Sequence, residues 1–546
     1  MTGAQASACE VRRARPRATI ITNTWVAILL AGLIPLAGRA LLIPVLGVPQ
    51  PAIQDEFAYL LASDTFASGR LTNPTHPMAE HFETLQEIFH PTYASRYPPL
   101  SSAVMAFGQK FFGEPWIGVW LSMGVLCSTL CWSLRGWLPR PWALAGTLVA
   151  VLKIGIVSYW TETYWGGSTA AIGGALVIGA VPRLIRRPAA STALAMAAGL
   201  GMLANTRPYE GLLLAAACLV YLAMALFRRR IGFGRLTRSV ILPMALVLLP
   251  TFAWMGYYNY RVTGHVLEMP YIAYEKQYTV RSPLLWQAQP RPAPAYTNSE
   301  IRDFWLVAFE SEYQFDREHL LKTHVSDLLG LARFFLGWPI VLCILASAIP
   351  LLKNRKARVI FLIGALFYAG CAIDTRLFPH YGAPGTALVY ILAGFALRTA
   401  WRHSPGSLGE RRMLAGGLVA LFVLTTAVGL FQPKNRFYFS ATDYHVKAKH
   451  ARTEEQLLHE PGQQLVLVHY GPQHDPWEEL IYNRADIDRS RIVWARSLGV
   501  EKDSELISYF GDRKVWLLDE DGDVKLKRYP ARTESTTTTH LERAPR

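Results

Sequence analysis

The sequence is short of charge. Asp, Glu, Lys and Arg make up only 17% of its 546 residues, against roughly 25% in a soluble globular domain. Cysteine is scarce too: Cys9, Cys127, Cys131, Cys218, Cys343 and Cys371 are the six. Five lie in apolar stretches and no C-x-x-C occurs, which excludes a disulfide framework and a zinc site. A nucleophile elbow, a P-loop and a GxGxxG fingerprint are all missing, and no internal repeat is seen. What is present is apolar. Hydrophobic residues make up 51%, with 16 Trp, 24 Tyr and 24 Phe. Such a chain has ample material to bury, so most of it is not disordered. The composition is that of a polytopic membrane protein.

The net charge of +15 could suggest a nucleic-acid partner. Its distribution argues against one. Segments 1–24, 135–140, 183–190, 228–238, 353–358 and 398–412 hold 22 Lys and Arg but only two acids, Glu10 and Glu410. Short basic loops between apolar spans follow the positive-inside rule, and the remainder of the chain is net acidic.

A membrane helix needs roughly 20 mostly apolar residues. Eleven spans are expected, near 25–47, 115–134, 142–160, 167–182, 190–204, 209–227, 239–258, 331–352, 359–373, 381–397 and 413–431. The N-terminal Arg12, Arg13, Arg15 and Arg17 precede an apolar stretch too long for a cleaved signal, so an uncleaved anchor is expected. If segment 98–113 crossed the membrane, every later basic loop would face outward. It is therefore expected to dip into the outer leaflet or lie on it. With residues 1–24 cytoplasmic, loops 48–97 and 259–330 and everything after 432 face outward.

The tail, 432–532, reads as a small α/β domain. Strands are expected at Gln464–His469, Arg491–Ala495 and Val515–Asp519, and helices at Pro476–Tyr482 and Ser504–Phe510. Residues 533–546, Thr-rich, are expected to be disordered. His469, Tyr470, His474 and Asp475 draw the eye, but a lone His at a strand end is more often structural, and the tail is assigned no chemistry.

The outward loops carry the candidate chemistry. Asp55 and Glu56 follow the first span closely, where a carboxylate can act as general base on a substrate presented from the bilayer; an ordinary acidic exterior loop is the alternative. Glu162, Tyr164, Arg207, Glu210, His380 and Tyr381 bring ionisable groups and aromatics to the same face. Interfacial aromatics are expected as a belt in any case, but charges at span ends are costly unless paired or functional. Lys153 lies inside the third span, placed either to neutralise a lipid phosphate, to pair with a carboxylate such as Glu162, or to snorkel outward. Loop 259–330, with Tyr271, Tyr274, Tyr278, Trp286, Tyr296, Trp305 and Tyr313, suits a carbohydrate or extended acceptor, or forms a cap on the tail.

The order of these features resembles the GT-C superfamily of membrane glycosyltransferases. A basic N-terminus and a span are followed by a loop that opens with Asp55-Glu56 and closes with Arg96-Tyr97-Pro98-Pro99-Leu100. Closest are the family 39 protein O-mannosyltransferase-like and aminoarabinose-transferase-like enzymes, including the RgtA/B/C/D-like group, over roughly residues 20–430. The resemblance implies a polyprenyl-phosphate-sugar donor used at the outer face of a bacterial inner membrane. It implies Asp55 as the catalytic acidic residue, Glu56 as its partner and Glu162 as the second acidic position, where many relatives carry Asp. Arg207, His380 and Tyr381 fall where relatives bind donor phosphate or sugar.

The expected reaction is transfer of a sugar to an extracytoplasmic acceptor (lipid, glycan or protein) by one inverting displacement. Asp55 deprotonates the acceptor, and Lys153, Arg207 or Arg96 stabilises the leaving phosphate. Arg96, Tyr97, Tyr164 and Glu210 complete the expected donor site. No cofactor is required, although a divalent metal is compatible with the carboxylates. Partners are the lipid-linked donor, the acceptor and membrane lipid, with no nucleic acid. A flippase for a lipid-linked glycan would need polar residues along the bundle, whereas polarity gathers on one face. A non-catalytic scaffold is the remaining alternative.

Overall fold

The computed structural model describes residues 23–281, 291–374, 376–404, 406–430, 441–471, 474–519 and 526–529. Residues 1–22, Trp286, Pro472 and the Thr-rich end lie outside these. The chain is a polytopic α-helical membrane protein with a small α/β unit toward its C-terminal end.

Among the described residues, seven helices are long and apolar enough to cross a membrane: Thr24–Leu41, Pro115–Trp137, Ser168–Arg186, Pro208–Arg228, Phe233–Thr263, Ala383–His403 and Leu408–Gly429. The stretch expected at 331–352 is broken. Helices Leu320–Phe335 and Trp338–Ala346 meet at 106°. Gly337 lies between them at φ +70°, a conformation costly for any residue with a Cβ, and Pro339 follows.

The other three expected spans are helical but shorter than about 20 residues. They are Arg140–Ala150, Ala190–Ala204 and Arg355–Cys371. The first continues through a wide turn, Val151–Gly155, that carries Lys153. It then stops, because Ser158 opens a separate one-turn helix, Tyr159–Glu162, by exchanging hydrogen bonds with Thr161.

Small residues let the helices close on one another. A Cβ on Gly199 would come within 2.6 Å of the Gly173 carbonyl oxygen, and one on Gly118 within 2.1 Å of that of Val104. The second contact folds the 14-residue helix Pro99–Phe112 into a hairpin against Pro115–Trp137. At 14 residues that helix is shorter than the roughly 20 a membrane span needs. Leu126, Leu130, Val177, Ile178, Tyr390 and Phe395 lie in the main buried core. Cys127, Cys131, Cys218, Cys343 and Cys371 are free and buried.

Loop 48–97 holds helix Gln54–Ala67 and a small hairpin of β1 (Glu87–Ile88) and β2 (Ala94–Ser95). The tail folds into a four-stranded sheet of β3 (Gln464–His469), β4 (Ile492–Arg496), β5 (Lys514–Asp519) and β6 (Leu526–Arg528), in the order β4-β3-β5-β6. The first three strands are parallel and β6 is antiparallel to β5. The alternation of a strand buried on both faces is explicit. Val466 and Val468 pack with Leu457, Trp494 and Trp516. Leu465 and Leu467 pack with Phe82, Phe89 and Tyr93 of loop 48–97. The tail is thus built into the first loop.

The helix expected at Pro476–Tyr482 is absent. Glu479 Oε1 accepts from the backbone N–H groups of Leu480 and Ile481, both at 2.9 Å, which removes donors a helix needs. The second expected helix forms, as Val500–Tyr509.

Candidate functional site

Three connections converge at one end of the bundle. Helix Gln54–Ala67 begins with Asp55 and Glu56 in its first turn. Arg96 and Tyr97 precede Pro98 and Pro99, the latter opening helix Pro99–Phe112. Arg207 precedes Pro208 at the start of the next membrane helix. The Leu100 N–H donates to the Asn205 carbonyl at 3.1 Å, which ties the second connection to the third.

Between them lies a cavity of about 350 Å³. Its wall includes Tyr59, Arg96, Tyr97, Arg207, Tyr271 and Tyr381. Glu210, Glu275, Arg291 and Asp374 line it as well, so its cations and acids are near balance. Asp55 stands directly behind the wall, half-buried, and its carboxylate accepts a hydrogen bond from the Tyr97 hydroxyl. The Tyr97 ring stacks on Tyr59 with centroids 4.4 Å apart. Burial raises the Asp55 pKa, opposed by the Tyr97 hydrogen bond and by the charges of Arg96 and Arg207.

Arg96 is held flat by aromatics. Its guanidinium lies 4.0 Å from the Tyr271 centroid and 4.6 Å from that of Tyr274. Nη1 donates to Gln86 at 2.8 Å, while the buried Nε finds no hydrogen-bond partner among the described residues. Burial and the Arg96 charge act oppositely on Tyr271 and Tyr274, burial winning, so both hydroxyls are pushed up to about 12. Arg207 lies 3.7 Å from Glu210 and 5.0 Å from the Tyr381 centroid. Arg96 and Arg207, with Arg291 also in the wall, bring guanidinium groups to one cavity, a suitable arrangement for a phosphate.

A second, apolar space of about 660 Å³ adjoins the first, sharing Pro99 and Asn205 in its wall. Leu100, Met202, Val247, Pro250 and Trp254 line it, with Arg70 also present.

The structure separates the expected residues into two groups. Asp55, Arg96, Tyr97, Arg207, Glu210 and Tyr381 gather at the cavity. Glu56 does not face it. Glu56 is buried, and its carboxylate accepts from the N–H groups of Ala52 at 2.7 Å and Tyr164 at 2.9 Å. Tyr164 in turn donates to the Pro49 carbonyl at 2.8 Å. These two brace the base of loop 48–97. Glu162 is buried and paired with Arg39.

Lys153 lies away from the cavity, beside the bend at Gly337. His380 sits behind Tyr381, with its Nδ1 3.0 Å from the Tyr159 hydroxyl and its ring against Trp165. Burial and the charge of Arg207 hold His380 well below the usual imidazole range, so it is neutral. Among the described residues, no three His, Cys, Asp or Glu side chains converge as a metal site.

Sequence reasoning overlooked Arg39, Tyr59, Glu275 and Arg291. A lone arginine inside the first apolar stretch was a signal for Arg39. Tyr271 and Glu275, four apart, share one helix face and both reach the cavity.

Neither a known family profile nor a curated protein matches the chain. Among solved structures, ArnT from Cupriavidus metallidurans in the apo state is 14% identical. The match covers 91% of this chain and 92% of that one, with a TM-score of 0.46. The same protein bound to undecaprenyl phosphate gives 15% identity, 92% and 93% coverage and the same TM-score. The archaeal oligosaccharyltransferase AglB from Archaeoglobus fulgidus, in complex with an inhibitory peptide and a dolichol-phosphate, is 12% identical. There the match covers 91% of this chain and 69% of that one, with a TM-score of 0.43.

Proposed function

We propose that this chain is a GT-C-type membrane glycosyltransferase that moves a sugar from a polyprenyl-phosphate carrier to an extracytoplasmic acceptor. The observation that carries the reading is one juxtaposition. A carboxylate, Asp55, is held by Tyr97 at a cavity faced by Arg96 and Arg207, and that cavity adjoins an apolar groove.

The groove suits the carrier's hydrocarbon tail, and the two arginines suit its phosphate. The acceptor hydroxyl takes the place of the Tyr97 hydroxyl on Asp55, which removes its proton as the oxygen attacks the anomeric carbon. The bond from that carbon to the carrier phosphate breaks, and the arginines take up the charge that develops on the phosphate. One displacement inverts the configuration once. Arg39, Glu56, Tyr164 and Glu162 keep the loop in place and do not touch the reacting atoms.

The proposed location is a bacterial inner membrane, with this end of the bundle outside the cytoplasm and the N-terminus inside; the alternation of basic loops supports that orientation. The test is mass spectrometry of envelope glycolipids, glycans and glycoproteins from cells making wild type or Asp55→Asn at equal level. A species that lacks one sugar only in the mutant is the expected result. A profile that deletion changes but Asp55→Asn does not would remove Asp55 from catalysis.

A further inference from the structure

The reaction just described leaves a third space unused. It measures about 330 Å³ and lies between residues 79–90 of loop 48–97 and residues 276–278 and 294–301 of loop 259–330. Its wall combines the aromatic rings of Phe89, Tyr278 and Tyr296 with the polar side chains of Glu83, Gln277 and Asn298. Glu83 accepts from the Tyr278 hydroxyl at 2.7 Å and from the Thr297 hydroxyl. Gln277 donates to the His90 carbonyl at 2.8 Å.

Asn298 is only 4% exposed. Its Oδ1 accepts from the Glu300 N–H at 3.0 Å, but its Nδ2 has no hydrogen-bond partner among the described residues. An unpaired buried donor is destabilising, and an acceptor atom on a ligand would relieve it.

The charges at the rim are already matched. Lys276 pairs with Glu268 at 2.5 Å, and Glu80 with Lys502 at 2.5 Å. Among the described residues, that leaves Glu83, which accepts from two hydroxyls, as the acid in the wall. Flat aromatic faces suit the C–H faces of a sugar ring, and carboxylate and amide groups suit its hydroxyls.

Helix Pro270–Tyr278 joins this space to the first cavity. Tyr271 and Glu275 line the first, Gln277 and Tyr278 the third. Seven residues of helix separate Tyr271 from Tyr278, about 10 Å at 1.5 Å per residue.

We infer that the space between Glu83, Tyr278, Tyr296 and Asn298 binds a neutral saccharide ring of the acceptor. The acceptor is then a glycan chain gripped at two points, its reacting hydroxyl at Asp55 and a more distant ring here. The inference rests on the transferase reading.

The test uses full-length protein in nanodiscs and saturation-transfer NMR with maltotetraose, cellotetraose, mannotetraose and chitotetraose, each alone. At least one is expected to bind. Its binding should weaken about tenfold in Tyr296→Ala and in Gln277→Ala, the size of one lost aromatic face or hydrogen bond. Tyr296→Phe, which keeps the ring, should retain it. No binding by any of the four, or binding indifferent to both alanine variants, overturns the inference. Undecaprenyl phosphate binding is measured on the same samples. It should be unchanged in the cavity variants, which shows that they are folded. Its absence from wild type would sink the donor reading, while the saccharide result would still report on this space.

Discussion

Arg39 of the first membrane helix holds Glu162 as a two-pronged ion pair, Nε to Oε1 at 2.7 Å and Nη2 to Oε2 at 3.2 Å. Both side chains are almost fully buried, and Arg39 also donates to the Gly47 carbonyl at 2.8 Å. The pair bridges 123 positions of sequence and fixes the base of the first loop to the segment after the third span.

This pairing separates structure from catalysis. Removing one partner of a buried ion pair costs about 3–5 kcal/mol, because the other is left uncompensated. Glu162→Ala is expected to lower the Tm of the purified protein clearly and to lose activity along with the folded fraction. Asp55→Asn should abolish transfer at an unchanged Tm. A stable, fully folded Glu162→Ala protein without activity would instead put Glu162 in the chemistry.

The pH profile reports on Asp55. Transfer needs its carboxylate ionised, so activity falls as pH drops through its pKa. Burial raises that pKa, so the acidic limb should lie above the usual aspartate value of about 3.9. The Tyr97 hydrogen bond opposes the rise. Tyr97→Phe should therefore move the limb to higher pH, seen in kcat/KM against pH. A limb that moves down, or stays, would detach Tyr97 from the base.

Arg96 is set by planar stacking on Tyr271 and Tyr274, which an ammonium group does not reproduce. Arg96→Lys should weaken donor binding about 10- to 100-fold, as expected for a lost charge-assisted hydrogen bond of about 1.5–3 kcal/mol. Titration with undecaprenyl phosphate measures this directly. Lys153→Gln, away from the cavity, should leave that affinity within about twofold of wild type, because the side chain makes no contact with the donor site.

The tail should matter to the first loop. Arg496 is 1% exposed and bonded to Glu479 at 2.5 Å, with Glu300 of loop 259–330 at 3.4 Å. The His81 ring nitrogen lies 2.8 Å from the Arg496 carbonyl. Arg496→Ala leaves buried carboxylate behind, at a cost of about 3–5 kcal/mol. Limited proteolysis should then cut within residues 70–97 before the membrane helices are attacked. Equal protection in mutant and wild type would show that the loop stands without the tail.

Much of this architecture was legible in the sequence, because hydrophobic runs and basic loops are signals that one chain carries by itself. Each expected apolar stretch is helical, and the three core strands of the tail lie where their β-branched runs put them. Other features depend on partners distant in sequence. Glu56 and Glu162 read as candidate site residues because charge near a span end is costly. That cost can equally be met by a partner far away in sequence, such as Arg39, which no local pattern identifies. The missing helix at 476–482 failed the same way, its backbone donors taken by the Glu479 side chain. Tyr271 and Glu275 join Arg96 and Arg207 only through the fold.

The docking of the tail onto the first loop also constrains the parity of the membrane crossings. The Ala485 N–H donates to Asp64 Oδ2 at 3.0 Å across 421 positions. Residues in such contact share one side of the membrane, so the chain between them crosses an even number of times. The ten apolar stretches between them, the bent pair counted as one, satisfy this if each crosses once. Helix Pro99–Phe112 would add an eleventh crossing and strand the two partners on opposite faces. With those ten crossings, the contact requires that helix to stay on the side where the cavity opens.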